Sequence, residues 1–343
     1  MQRSPMLLGF LVHRRVVVVG LLSLLLILAA CGGSSGSSNP STGSSTQLRI
    51  GALYLDQQGF YGGIAKGIKD GAGSNHINLI AANSASDASK EASFMSTLIT
   101  DHVQAIVMSP VSATGSAVSV KSAVQAGIPV VCYNSCIDNA QTVGVYANVT
   151  TDQTQFGAAT GTEAGTYFKS KGIMAPKLGL LNCDIYEACA QRKAGFKQAL
   201  LAVLPNAQFV IDQQGFASDK AATVATTELT AHPDLNALWA ANEGGTIGAV
   251  NAIKSRPSSH AVVFGSDIDT QIAQFLRDSS TILIATDAQD PQQMGKLAIQ
   301  AAIDAINHKT VKNFTVYVPF KIYTSSDTTA INAWLQQHSD GLP

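Results

Sequence analysis

Enzymatic chemistry needs activated groups at fixed spacings, and those spacings are missing from this chain. There is no GxSxG elbow to expose a nucleophilic serine, no phosphate-cradling P-loop and no HExxH zinc site. His76, His102, His232, His260 and His308 are scattered, without the spacing of metal ligands. The pair Gly62-Gly63 lacks the wider GxGxxG frame and the acidic partner of a dinucleotide fingerprint. The residues therefore predict no catalysis, no cofactor and no metal. Two kinds of chemistry remain. One is thiol chemistry, from five cysteines. The other is reversible recognition through Asn, Asp, Gln and Arg side chains, which present paired donors or acceptors.

The first cysteine has a specific setting. Arg3, Arg14 and Arg15 precede an unbroken small and apolar run from Val16 to Ala30, with no acidic residue among them. That run has the length of a signal-peptide core and falls short of the roughly 20 residues of a spanning helix. It ends in Leu28-Ala29-Ala30-Cys31-Gly32-Gly33. The segment resembles a bacterial lipobox, which implies cleavage before Cys31, lipidation of its thiol and retention at a membrane. Residues 1–30 are thus expected to be a lipoprotein signal peptide. Residues 31–46, almost all Gly, Ser, Thr, Asn and Pro after the cysteine, have no apolar face to bury and predict a flexible linker.

Removing residues 1–30 takes the formal net charge from −1 to −4. A chain with that balance offers no basic face for nucleic acid. The body from Gln47 to Pro343 is too long for one ordinary core and suits two lobes. Along it, apolar β-rich runs alternate with helical spacing. Strands are predicted at 48–55, 77–81, 103–108, 128–133, 177–182, 208–212, 236–241, 261–264 and 281–285. Helical faces are predicted through Ile64, Ile68 and Ala72, through Phe94, Met95, Leu98 and Ile99, and through Val118, Val124 and Ala126. Strands that are apolar on both faces and linked by helices predict doubly wound parallel sheets. The pattern restarts after Asn148, so two such sheets follow in series, and each should hold ligands at the carboxyl ends of its strands.

An ordered series of phrases then carries a family resemblance. They are Gly59-Phe60-Tyr61, Lys66-Gly67-Ile68, Val103 to Pro110, Ala126-Gly127-Ile128-Pro129-Val130-Val131, Arg192 with Gly195-Phe196, His232 to Ala237, Asn242-Glu243, Gly265-Ser266-Asp267 and Gln289-Asp290-Pro291. From about Gln47 to Trp334 the chain resembles the type I periplasmic binding proteins of the ribose-binding kind, the extracytoplasmic receptors of ABC sugar importers. The resemblance implies two doubly wound lobes joined by a three-crossing hinge. Mapped here, one lobe is residues 47–148 plus 290–317 and the other 149–289 plus 318–343. It also implies ligand contacts. Phe60 and Tyr61 would be aromatic plates with Gln58 at the rim, and Asn134, Arg192, Asn242, Asp267 and Gln289 would meet hydroxyls. Phe216 is a weaker aromatic candidate, and Trp239 reads as core. The ribose pattern has an Asp-Arg pair where this chain has Asn134-Ser135, which argues against ribose itself and for a small neutral ligand.

Cys132, Cys136, Cys183 and Cys189 are an even set in an exported domain, which favours disulfides over zinc, and four cysteines allow three pairings. The implied hinge selects the local pairs Cys132–Cys136 and Cys183–Cys189, because a bridge between lobes would restrain closure. The resemblance further implies an ABC importer permease as partner, contact with the membrane through the lipid on Cys31, and a monomer at the cell envelope. A sensory receptor for a sugar-like signal or nucleoside, acting on a membrane kinase or chemoreceptor, is the alternative role for the same fold.

Overall fold

The structure is a computed structural model that describes residues 47–277 and 282–343. The expected signal peptide, the lipidation at Cys31 and the linker lie outside the described residues.

The chain enters with β1 (Arg49–Tyr54), α1 (Gly59–Ser74), β2 (Asn78–Asn83), α2 (Ala88–Thr100) and β3 (Ala105–Met108). It continues through α3 (Ala117–Gln125), β4 (Val130–Tyr133), the short α4 (Ala140–Val143) and β5 (Ala147–Thr150). The second series is α5 (Gln153–Ser170), β6 (Lys177–Asn182), α6 (Glu187–Val203), β7 (Gln208–Gln214), α7 (Ser218–Ala231) and β8 (Ala237–Ala240). Then come α8 (Glu243–Lys254), β9 (Val262–Ser266), α9 (Thr270–Arg277), β10 (Leu283–Ala288), α10 (Pro291–Ile306), β11 (Thr315–Tyr317), β12 (Lys321–Thr324) and α11 (Thr328–Gln337).

These strands make two six-stranded sheets, ordered β11-β5-β4-β3-β1-β2 and β12-β10-β9-β8-β6-β7. The first is parallel throughout. The second is parallel except for β12, which runs antiparallel along β10 at the edge. Two α/β lobes result, and the chain crosses between their sheets after β5, after β10 and after β11. The continuous apolar runs follow from burial on both faces. In β3, Ala105 and Val107 pack under α1 and α10, while Ile106 and Met108 pack under α2 and α3. All four are fully buried, and each large side chain so placed contributes roughly 1.5–3 kcal/mol.

One expectation needs correction, and two features of the fold go beyond the expectations. The helix expected through Val118, Val124 and Ala126 turns a different face inward. Val118 is 75% exposed, and Val120 and Ala123 are the buried residues of α3. One extra residue in the phase of a nine-residue helix is enough to cause that error. The strands β5 and β11 have four and three residues, too short to give an alternating signal. The second sheet also has the antiparallel edge strand just described, which a repeating strand–helix pattern does not announce.

Close helix pairing positions the site. A side-chain carbon on Gly195 of α6 would lie 2.0 Å from the Thr154 carbonyl oxygen, and one on Gly157 of α5 2.0 Å from the Arg192 carbonyl oxygen. Only glycine permits that approach, and it brings Arg192 against the start of α5.

Candidate ligand cleft

The carboxyl ends of both sheets carry the polar residues singled out by sequence, and two disulfides bracket the loops that hold some of them. Cys132 at the end of β4 bonds Cys136 with a Cα–Cα distance of 5.3 Å, so the bridge encloses Asn134 and Ser135. Cys183, just after β6, bonds Cys189 in the first turns of α6 with a Cα–Cα distance of 5.4 Å. Each bridge is local to one lobe.

In the first lobe, Phe60 and Tyr61 open α1 with ring centroids 5.5 Å apart, edge to face. Both are half-buried. The Asn134 amide donates to the Tyr61 hydroxyl at 2.9 Å. Burial pushes the Tyr61 hydroxyl up, and hydrogen bonds with Asn134 and Ser109 partly oppose that shift. Asn134 leaves β4 in the left-handed region, φ 61°, a conformation that Asn tolerates better than most residues. The Thr150 hydroxyl donates to its carbonyl at 2.8 Å. Gln58 is exposed at the N-cap of α1 and makes no capping bond through its side chain.

In the second lobe the residues form a closed ring. Arg192, 6% exposed, donates from Nη1 to Asp267 Oδ2 at 2.9 Å and from Nε to Gln153 Oε1 at 2.7 Å. Gln153 Nε2 donates to Gln289 Oε1 at 3.4 Å, and Gln289 Nε2 donates to Asp267 Oδ1 at 3.0 Å. The guanidinium also donates to the Ala241 carbonyl at 3.0 Å and lies over the Phe156 ring, 4.6 Å from its centroid. Charge-assisted bonds in a buried ring hold each member's geometry firmly. Gln153 and Gln289 stand beside two of the chain crossings, so the ring sits at the hinge. Asp267 is left-handed as well, φ 66°. Its N–H donates to Asp287 Oδ1 at 3.3 Å, and Thr160 donates to the other oxygen of Asp287. Asp287 is fully buried, and that burial pushes its carboxyl well above the ordinary carboxylate range.

Asn242 caps α8, accepting from the Gly245 N–H at 3.1 Å, while its amide donates to the Phe216 carbonyl at 3.0 Å. Much of its hydrogen-bonding capacity is thus used in holding two loops together. The Phe216 ring meets Tyr186 edge to face at 5.9 Å, and Tyr186 is 55% exposed. Trp239 is fully buried and stacks on Phe196 at 4.7 Å. A cavity of about 30 Å³ separates the lobes, lined by Phe60 and Pro291 on one side and Glu243, Asp267, Ile268 and Gln289 on the other, with Pro343. A much larger groove, about 660 Å³, lies among Gln104, Pro129 and His308 at the opposite end of the first sheet, away from these residues.

The structure thus joins Arg192, Asp267 and Gln289 directly, Phe60 to Tyr61, and Tyr61 to Asn134. Phe216 and Asn242 touch each other rather than the ring, and Gln58 touches neither group. Sequence reasoning missed Gln153, Tyr186, Glu243 and Asp287. Glu243 follows Asn242 and was open to notice on that ground. Gln153 and Asp287 become visible only when α5, α6 and β10 are brought together.

Residues 52–310 match the periplasmic binding protein domain family. The chain is 37% identical to the ABC transporter periplasmic-binding protein YphF of Escherichia coli over 313 residues, 90% of this chain and 94% of that one. It is 29% identical to the ribose import binding protein RbsB of Bacillus subtilis, over 77% of this chain and 83% of that one. A solved ABC transporter periplasmic solute binding protein from Actinobacillus succinogenes, with bound D-allose, superposes with a TM-score of 0.73 at 21% identity, over 83% of this chain and all of that one. The two lobes, the hinge between them and these matches agree, and the chain belongs to the periplasmic binding protein family, among the extracytoplasmic sugar-binding proteins of ABC transporters.

Proposed function

We propose that this protein captures a small polyhydroxylated ligand, a monosaccharide or related polyol, by closing its two lobes, and delivers it to an ABC importer. The observation that carries the reading is the Gln153–Arg192–Asp267–Gln289 ring at the hinge, whose Asp267 and Gln289 line the same cavity as Phe60 of the other lobe. Fixed donors and acceptors suit hydroxyls, and aromatic faces suit sugar C–H surfaces. Phe216, Asn242 and Asn134 complete the contact set, with Gln58 at the rim. The lobes are residues 47–148 plus 290–317 and residues 149–289 plus 318–343. Contacts made to both at once are what shift the population toward the closed form. The protein acts as a monomer held at the membrane by lipid on Cys31, and the segment 32–46 is its leash.

The test is a thermal-shift screen of the mature domain against sugars, polyols and nucleosides. A true ligand at 100 times its dissociation constant stabilises by about 2.7 kcal/mol. Asn242→Ala and Asp267→Ala should remove that shift. If both variants keep it, the assigned contacts are wrong. Growth of cells in radioactive palmitate, with Cys31→Ser as control, tests the anchor.

A further inference from the structure

Glu243, the first residue of α8, lines the cavity between the lobes together with Phe60, Asp267 and Gln289. It is half-buried, and among the described residues none donates a hydrogen bond to its carboxylate. The charged groups that act on it are of its own sign, Asp267 after β9 and Asp269 at the start of α9. Burial first, and then these two carboxylates, push Glu243 from its ordinary value of 4.5 up to about 7. Asp269 is engaged by the Ile272 N–H at 2.6 Å.

The cation built into the cleft does not offset this. Arg192 gives Nη1 to Asp267 and to the Ala241 carbonyl, and Nε to Gln153. Arg192 and Asp267 neutralise each other, and the carboxylate of Glu243 is left over. The other lining residues, Phe60, Ile268, Gln289, Pro291 and Pro343, bring no cationic side chain. The expectation of a neutral ligand rested on Asn134-Ser135 and left out Glu243. A neutral sugar closing the cleft would desolvate Glu243 further and hold it protonated, with no charged partner. A ligand carrying an ammonium group would pair with it through charge-assisted hydrogen bonds.

We propose that Glu243 is a specificity-determining residue that reads an amino group, so that the preferred ligands are amino-substituted sugars or polyols and anionic sugars are rejected. This rests on the sugar-binding reading above. The hydroxyls of such a ligand meet the hinge ring, and its ammonium meets Glu243 at the mouth of α8. Pairing keeps Glu243 ionised, so capture near pH 7 releases the proton that the free carboxyl holds in part.

Isothermal titration calorimetry of the full chain in detergent at pH 7 tests this with matched probes. These are D-glucosamine against D-glucose, D-galactosamine against D-galactose, and D-glucuronate as the anionic arm. At least one amino sugar should bind wild type ten-fold or more tightly than its hydroxyl partner, with proton release read from the dependence on buffer ionisation heat. D-Glucuronate should not bind. In Glu243→Gln, which keeps the side chain's shape, the ratio should fall to about one and the proton release should vanish. Equal binding of both partners by wild type, or a ratio that survives in Glu243→Gln, overturns the proposal and leaves the sugar reading standing. No binding by any of these probes overturns the amino-group proposal, while the sugar reading is decided by the wider screen above.

Discussion

At the end of β4 in the first lobe and of β9 in the second, the chain makes the same local move. A buried strand ends, and the backbone turns left-handed on a polar residue, Asn134 at φ 61° and Asp267 at φ 66°. What surrounds the two residues differs. Asn134 donates one neutral hydrogen bond to a half-buried tyrosine. Asp267 closes a ring with a buried guanidinium and two amides. The buried acids differ in the same way. Glu91 of the first lobe is 2% exposed and accepts from the Val111 N–H at 2.6 Å. Glu228 of the second is fully buried, and neither of its carboxyl oxygens has a partner. Equal backbone geometry thus supports unequal electrostatics, because the helices packed against each sheet supply different partners. The second lobe holds its polar groups in a hydrogen-bonded ring, and the first presents two aromatic rings packed edge to face.

This asymmetry can be tested from either side. Asp267→Ala leaves Arg192 buried without its counter-ion, which should cost about 3 kcal/mol and weaken ligand binding more than a hundred-fold by calorimetry. Asn134→Ala should weaken it only several-fold, and equal losses would end the distinction between lobes. Gly195→Ala places a carbon against the Thr154 carbonyl, and Gly67→Ala one 2.0 Å from the Gln292 carbonyl oxygen in the α1–α10 pair. Each should lower stability by about 1–3 kcal/mol in denaturant titrations. Gly195→Ala should reduce ligand affinity more, since it displaces Arg192 from Gln153.

The unpartnered acid gives a pH signature. Burial, aided by Asp212, pushes Glu228 from 4.5 up to about 8. The folded protein then binds a proton that the unfolded chain releases, so this group's contribution to stability is full below about 4.5 and is lost as pH rises toward about 8. Glu228→Gln should flatten that decline and raise Tm by a few degrees at pH 8, whereas Glu91→Gln, which loses an accepted hydrogen bond, should lower Tm. The smallest effect belongs to Tyr61→Phe. It removes the acceptor for Asn134, worth about 1 kcal/mol, and should weaken ligand binding about five-fold.

The architecture was legible because burial on both faces of a strand imposes a continuous apolar run, as in Ala105–Met108, and because helices between such runs force parallel pairing. The ordered phrases made the family legible from about Gln47 to Trp334. The phase of α3 was not legible, since Val118 and Val120 are both apolar and only the neighbouring α2 decides which one packs. The hinge ring was half legible. Arg192, Asp267 and Gln289 stand at strand and helix ends where recognition is expected, but Gln153 is an ordinary polar residue at a helix start.

Sequence by itself carried the expectation of a leader, a lipidated cysteine and a polar linker, because short linear signals are read before folding and need no tertiary partner. It also determined which residues could recognise hydroxyls, since donor and acceptor geometry belongs to the side chain. Tertiary structure decided which of them meet. The glycine contact between α5 and α6 brings Arg192 to Gln153, the chain crossing after β10 brings Gln289 to Asp267, and lobe apposition leaves Glu243 without a counter-charge. Charge balance in a cleft is a sum over elements distant in sequence, so it exists only once those elements have packed.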